Sequence, residues 1–111
     1  AMTACESGAT KAGTNYEFAL GELNATVPHG LDETFEAAKA ALEHFELTIE
    51  SARKDAFEGR VIARGADNSK HVVDLTREGD EITRLEIAVG GAMGDEERSV
   101  MILEEIESRL E

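Results

Sequence analysis

The chain has 111 residues, room for one domain, and no stretch approaches the ~18 apolar residues of a membrane-spanning helix. Twenty-four acidic residues against eleven basic ones give a net charge of −13, spread along the chain rather than gathered in a tail. A field of that sign argues against nucleic acid and anionic headgroups as partners; with 41% apolar residues and no Trp, the core has to be built from Leu, Ile, Val and Ala around four Phe.

The single cysteine, Cys5, can form no internal disulfide and has no second ligand at metal-binding spacing. Met2-Thr3-Ala4 ahead of it is one aliphatic residue and two small ones, the setting of the lipidated cysteine that ends a bacterial lipoprotein signal. Residues from Glu6 to Asn15 are small, polar and unpatterned. Residues 1–15 are therefore expected to be a flexible tether carrying a lipidation site, and residues 16–111 a single α+β domain.

From Tyr16 to Leu20 apolar residues alternate with others, and the phase slips at Gly21, which predicts a bulge or a break; Leu23, Ala25 and Val27 then continue a half-buried strand that Pro28-His29-Gly30 ends. Leu31, Phe35, Ala38, Leu42 and Phe45 fall on one face of a helix, capped by Gly30 or Asp32 and favoured by its alanines. Four strands follow at short intervals. Their inward residues are Leu47, Ile49 and Ser51; Val61 and Ala63; His71, Val73 and Leu75; and Thr83, Leu85, Ile87 and Val89. Glu78-Gly79-Asp80 is the expected last hairpin turn; centring it on Gly79 pairs Leu75 with Thr83, Val73 with Leu85 and Asp74 with Arg84. After a glycine-rich loop, Asp95 caps a closing helix that buries Ser99, Ile102, Leu103, Ile106 and Leu110, with Glu105 and Arg109 spaced for an ion pair. The order β-α-β-β-β-β-α predicts a two-layer sandwich, two helices on one face of a mainly antiparallel sheet.

Three stretches, Gly21-Glu22-Leu23-Asn24-Ala25-Thr26, Leu31-Asp32-Glu33-Thr34-Phe35-Glu36-Ala37 and Lys54-Asp55-Ala56-Phe57-Glu58-Gly59, together with Gly94-Asp95-Glu96-Glu97-Arg98-Ser99 and Ile102-Leu103, resemble a family of small bacterial lipoproteins built on a domain of unknown function. The resemblance runs from Gly21 to Leu110 and departs at Gly91-Ala92-Met93, where larger apolar residues are typical. It implies a lipidated cysteine just ahead of the domain, where Cys5 stands, and no activity.

Sites of chemistry are few. His29, His44 and His71 lie in a turn, on a helix and on a strand, none with a second ligand at local chelating spacing, so neither a metal nor another cofactor is expected. Ser99 lies on an apolar stripe, where a small residue serves packing. Gly90, Gly91 and Gly94 lack a phosphate-loop spacing, and Asp95, Glu96 and Glu97 would repel a phosphate there. On the outer sheet face Ile62 and Val72 become neighbours, with Ala88 close by, a surface for self-association or for a partner. The expected protein is a non-enzymatic, lipid-anchored component of the bacterial envelope. It faces the periplasm and binds an envelope protein or itself; Glu6 after the cysteine favours the outer over the inner membrane. The alternative is a small-molecule or cation-binding module in the cleft between sheet and helices.

Overall fold

A computed structural model describes residues 6–90 and 94–111. The elements are β1 (Glu6–Ala9), β2 (Asn15–Ala19), β3 (Glu22–Val27), α1 (Leu31–His44), β4 (Thr48–Lys54), β5 (Glu58–Arg64), β6 (Lys70–Gly79), β7 (Ile82–Val89) and α2 (Glu96–Leu110). The strands form one antiparallel sheet in the order β1-β2-β3-β7-β6-β5-β4, and both helices lie on one face, as expected of the α+β sandwich. α1 covers β4 to β7, α2 covers β3 and β7, and the two helices pack on each other. No helix among the described residues is long and apolar enough to cross a membrane.

The phase slip at Gly21 is a hairpin. Leu20 and Gly21 both adopt positive φ (55° and 82°), the backbone of a two-residue turn whose twist suits antiparallel strands. The part of the expected tether from Glu6 onward is folded instead. Glu6 pairs with Phe18 and Ala9 with Asn15, so Glu6-Ser7-Gly8-Ala9 is an edge strand held by main-chain bonds that need no apolar pattern. The following loop is tied down as well: the Thr14 amide donates to the Thr10 hydroxyl (3.1 Å), the Thr14 hydroxyl donates to the Glu107 carboxylate, and the Lys11 amide donates to Glu104 (3.0 Å).

α1 begins after Gly30, whose amide donates to the Glu33 carboxylate (3.1 Å), an interaction in which the side chain three residues on satisfies a free donor. α2 begins after Asp95, which accepts from the Arg98 amide (2.9 Å) as the sequence predicts. The Glu105–Arg109 pair also forms (2.9 Å). Close packing at this end depends on glycine: Gly94 has φ +71°, and a Cβ there would lie 2.4 Å from the Gly21 carbonyl oxygen.

Two registers differ from expectation, each because of a bulge. Between β6 and β7 the turn sits on Asp80-Glu81 and the ladder shifts between Arg77 and Gly79, so Leu75 faces Leu85, Val73 faces Ile87 and Asp74 faces Glu86 rather than Arg84. The inward sets survive because the displacement is two residues, one full period of the pleat. Between β4 and β5 the shift between Ile49 and Ser51 inverts the facing beyond it: Ser51 pairs with outward Ile62, and Ala52, not Ser51, pairs with buried Val61.

The core lies between the layers. Leu23, Val61, Val73, Leu85, Ile87 and the α2 residues Ile102, Leu103 and Ile106 are fully excluded from solvent, and each large aliphatic side chain of this kind contributes about 1.5–3 kcal/mol. Leu110 is only partly buried.

Candidate interaction face

The alternation that buries one set of strand residues turns the other set outward, and the register arranges these in rows across the uncovered face. The first row runs Glu58, Thr76, Arg84, Thr26 across β5, β6, β7 and β3. The second runs Arg53, Arg60, Asp74, Glu86, Asn24, Glu17. The third runs Ser51, Ile62, Val72, Ala88, Glu22, Ala19. Ile62, Val72 and Ala88 are thus directly adjacent in one row on three neighbouring strands, each half-buried, as the sequence places them.

Charge on this face is divided. Four of the eleven bases, Arg53, Arg60, Arg64 and Lys70, face outward on β4, β5 and the start of β6, with Glu58 among them, whereas Glu17, Glu22 and Glu86 lie on the β2–β3–β7 side beside Arg84. Asp74 sits at the boundary: Arg60 donates to it twice, Nε to Oδ1 at 2.6 Å and Nη2 to Oδ2 at 3.2 Å. That pair holds the Arg60 guanidinium above its ordinary pKa. It also offsets the like-charge apposition of Asp74 with Glu86. Arg64 pairs with Glu50 (3.0 Å), the residue bulged out of the β4–β5 ladder.

The remaining polar groups serve the fold. His71 is almost wholly buried, its Nδ1 3.3 Å from the Ser69 carbonyl oxygen and its Nε2 without a partner, and burial lowers its pKa. His29 lies 3.5 Å from Glu33 and His44 3.7 Å from Glu105, at opposite ends of α1 and far from any shared centre. The Ser99 hydroxyl donates to the Asp95 carbonyl oxygen (2.7 Å), inside its own helix turn. At the start of α2, burial and then nearby Glu6 raise the pKa of Glu96, a crowding of carboxylates that opposes anion binding. Among the described residues no group of three or more His, Cys, Asp or Glu side chains is arranged to hold a metal. The core side chains lie in the layer between sheet and helices. Cys5 and Gly91-Ala92-Met93 lie outside the described residues.

The sequence thus locates the apolar centre of the face, but the charges of opposite sign on either side of β6, Glu58 and Arg84 in one row and Arg60 and Glu86 in the next, emerge only with the true register. Comparison with curated proteins finds no match. A family defined as proteins of unknown function, DUF3568, matches residues 1–109, and the chain belongs to that family.

Proposed function

We propose that this chain is a lipid-anchored protein of the bacterial cell envelope, attached through Cys5 on the periplasmic side, at the outer rather than the inner membrane, and that its folded part is a non-enzymatic interaction domain. The observation that carries the reading is the position of Cys5. It follows Met2-Thr3-Ala4 and stands directly before Glu6, the first residue of β1. An acyl chain on Cys5 would hold the sheet edge against the bilayer with no spacer between them. The acidic domain would then depend on the acyl group for attachment, since anionic headgroups repel a charge of −13. The uncovered sheet face, with its apolar row and divided charge, is the surface left for a protein partner.

Palmitate labelling with membrane fractionation of the full-length gene product, beside a Cys5→Ser variant, tests the anchor. Wild type is expected to label and pellet with membrane, and the variant to do neither. Two soluble, unlabelled proteins would remove the lipoprotein reading.

A further inference from the structure

The charges on the uncovered face are related to one another by β6. On the β5 side of that strand the three rows carry Glu58, Arg60 and Ile62; on the β7 side, in the same rows, they carry Arg84, Glu86 and Ala88. At each of the two charged levels the sign reverses across β6, and at the third level both residues are apolar. A uniformly charged partner would be repelled by half of such a face. A copy of the same face, turned over about an axis along β6, meets opposite charge at both charged levels. Isologous contacts of this kind are what two-fold symmetry produces.

We propose that the uncovered sheet face packs on the same face of a second copy of the chain, about a two-fold axis running along β6. Arg60 of each copy then lies over Glu86 of the other, Glu58 over Arg84, and Ile62 over Ala88. Thr76, Asp74 and Val72 lie on the axis and meet their own counterparts. The apposed Asp74 carboxylates oppose association, each already neutralised by its own Arg60, and so do the outward Lys70 side chains at the start of β6, which also meet across the axis. One row further out, Ser51 of β4 meets Glu22 of β3, and Arg53 meets Asn24. The two sheets form a sandwich with layers about 10 Å apart and the two β6 strands aligned along the axis. That spacing suits the long Arg and Glu side chains flanking the axis and the shorter aliphatic ones at the third level.

Because β6 is third from the β4 edge, a two-fold axis along it overlaps five strands of each copy, β4, β5, β6, β7 and β3; about 4.8 Å apart and roughly 20 Å long, they give a flat footprint of about 480 Å² per copy, well below the ~800 Å² per partner of a standard interface. With three half-buried aliphatic side chains at its centre, the dimer is expected to be weak and concentration-dependent. This inference names the partner for the interaction-domain reading, yet the contact itself does not require the lipid.

The test is sedimentation equilibrium of the unacylated chain at 0.15 M ionic strength, where long-range repulsion between acidic copies is screened over about 8 Å. Wild type is expected to shift from the 12.0 kDa monomer toward dimer with rising concentration. Glu86→Arg alone and Arg60→Glu alone should each raise the dimer dissociation constant about tenfold or more. An equimolar mixture of the two variants should recover association, because each mixed pair restores opposite charges at both contacts. Glu58→Arg mixed with Arg84→Glu repeats the experiment without touching the Arg60–Asp74 pair, should Arg60→Glu disturb folding by circular dichroism. A wild type that stays monomeric up to about 1 mM overturns the proposal, as does a dimer that either charge pair leaves unchanged, or folded variants whose mixtures fail to associate. Membrane labelling of Cys5 is unaffected by any of these outcomes, so anchor and dimer fail separately.

Discussion

The two faces of the sheet are made by the same strands and the same alternation, yet they are determined by different information. On the inner face every other residue of β6 and β7 is buried: His71, Val73 and Leu75, then Thr83, Leu85, Ile87 and Val89. Membership of that set depends only on phase, and phase is fixed by which residues are apolar. On the outer face what matters is which residue stands beside which, and that depends on turn geometry. A slip of two residues leaves the inner face intact and exchanges Arg84 for Glu86 beside Asp74. Burial is therefore robust to an error that rewrites the electrostatics of the opposite surface.

Substitutions can sharpen this contrast. The largest expected effect is on the inner face: Leu85→Ala, at a site with no solvent exposure, should cost about 2–5 kcal/mol in urea unfolding, while Val72→Ala on the outer face should cost about 1 kcal/mol or less. Equal costs would mean that the outer face is packed as tightly as the core in the monomer. Next comes Gly94→Ala. The positive φ and the 2.4 Å approach to the Gly21 carbonyl oxygen predict a loss of about 1–3 kcal/mol, measurable as a lowered thermal midpoint.

A smaller effect is expected from pH. Burial lowers the folded-state pKa of His71 below the ordinary histidine value of 6.5, so between those two values the unfolded chain binds the extra proton. The associated stability is complete above pH 6.5 and is lost as pH falls below it toward the folded pKa. His71→Leu should flatten that part of the stability profile; an unchanged slope would show that it does not come from His71. Smallest is Leu20→Asn. Leu20 is almost fully exposed with φ 55°, and a residue that tolerates the left-handed region should raise stability by roughly 0.5 kcal/mol.

The helices, their caps and the inward strand residues were legible in the sequence because each rests on a local signal: apolar spacing in α1 and α2, Asp95 before an acidic first turn, alternation in β6 and β7. What was hidden has a common cause. β1 consists of Glu, Ser, Gly and Ala and is held by main-chain pairing with β2, so no side-chain period announces it. The bulge at Glu50 and the shift beyond Arg77 are backbone events, and each changes the pairing along the rest of its ladder. The turn at Leu20-Gly21 was visible only as a loss of phase, because its first residue is an exposed leucine where Asn or Gly would ordinarily signal a hairpin. The candidate face was consequently half readable. Ile62, Val72 and Ala88 were found by phase, and the four charges that give the face its two-fold character were not.

The most direct measurement on that face is crosslinking of Val72→Cys with a short bismaleimide in a Cys5→Ser background, with Ala19→Cys at the far side of the same row as the comparison. A contact along β6 makes the two residues at position 72 face each other across the ~10 Å between layers, so the Val72→Cys chain should form a crosslinked species of twice the 12.0 kDa mass while Ala19→Cys stays monomeric. Equal crosslinking at both positions, or none at Val72→Cys, would contradict the account.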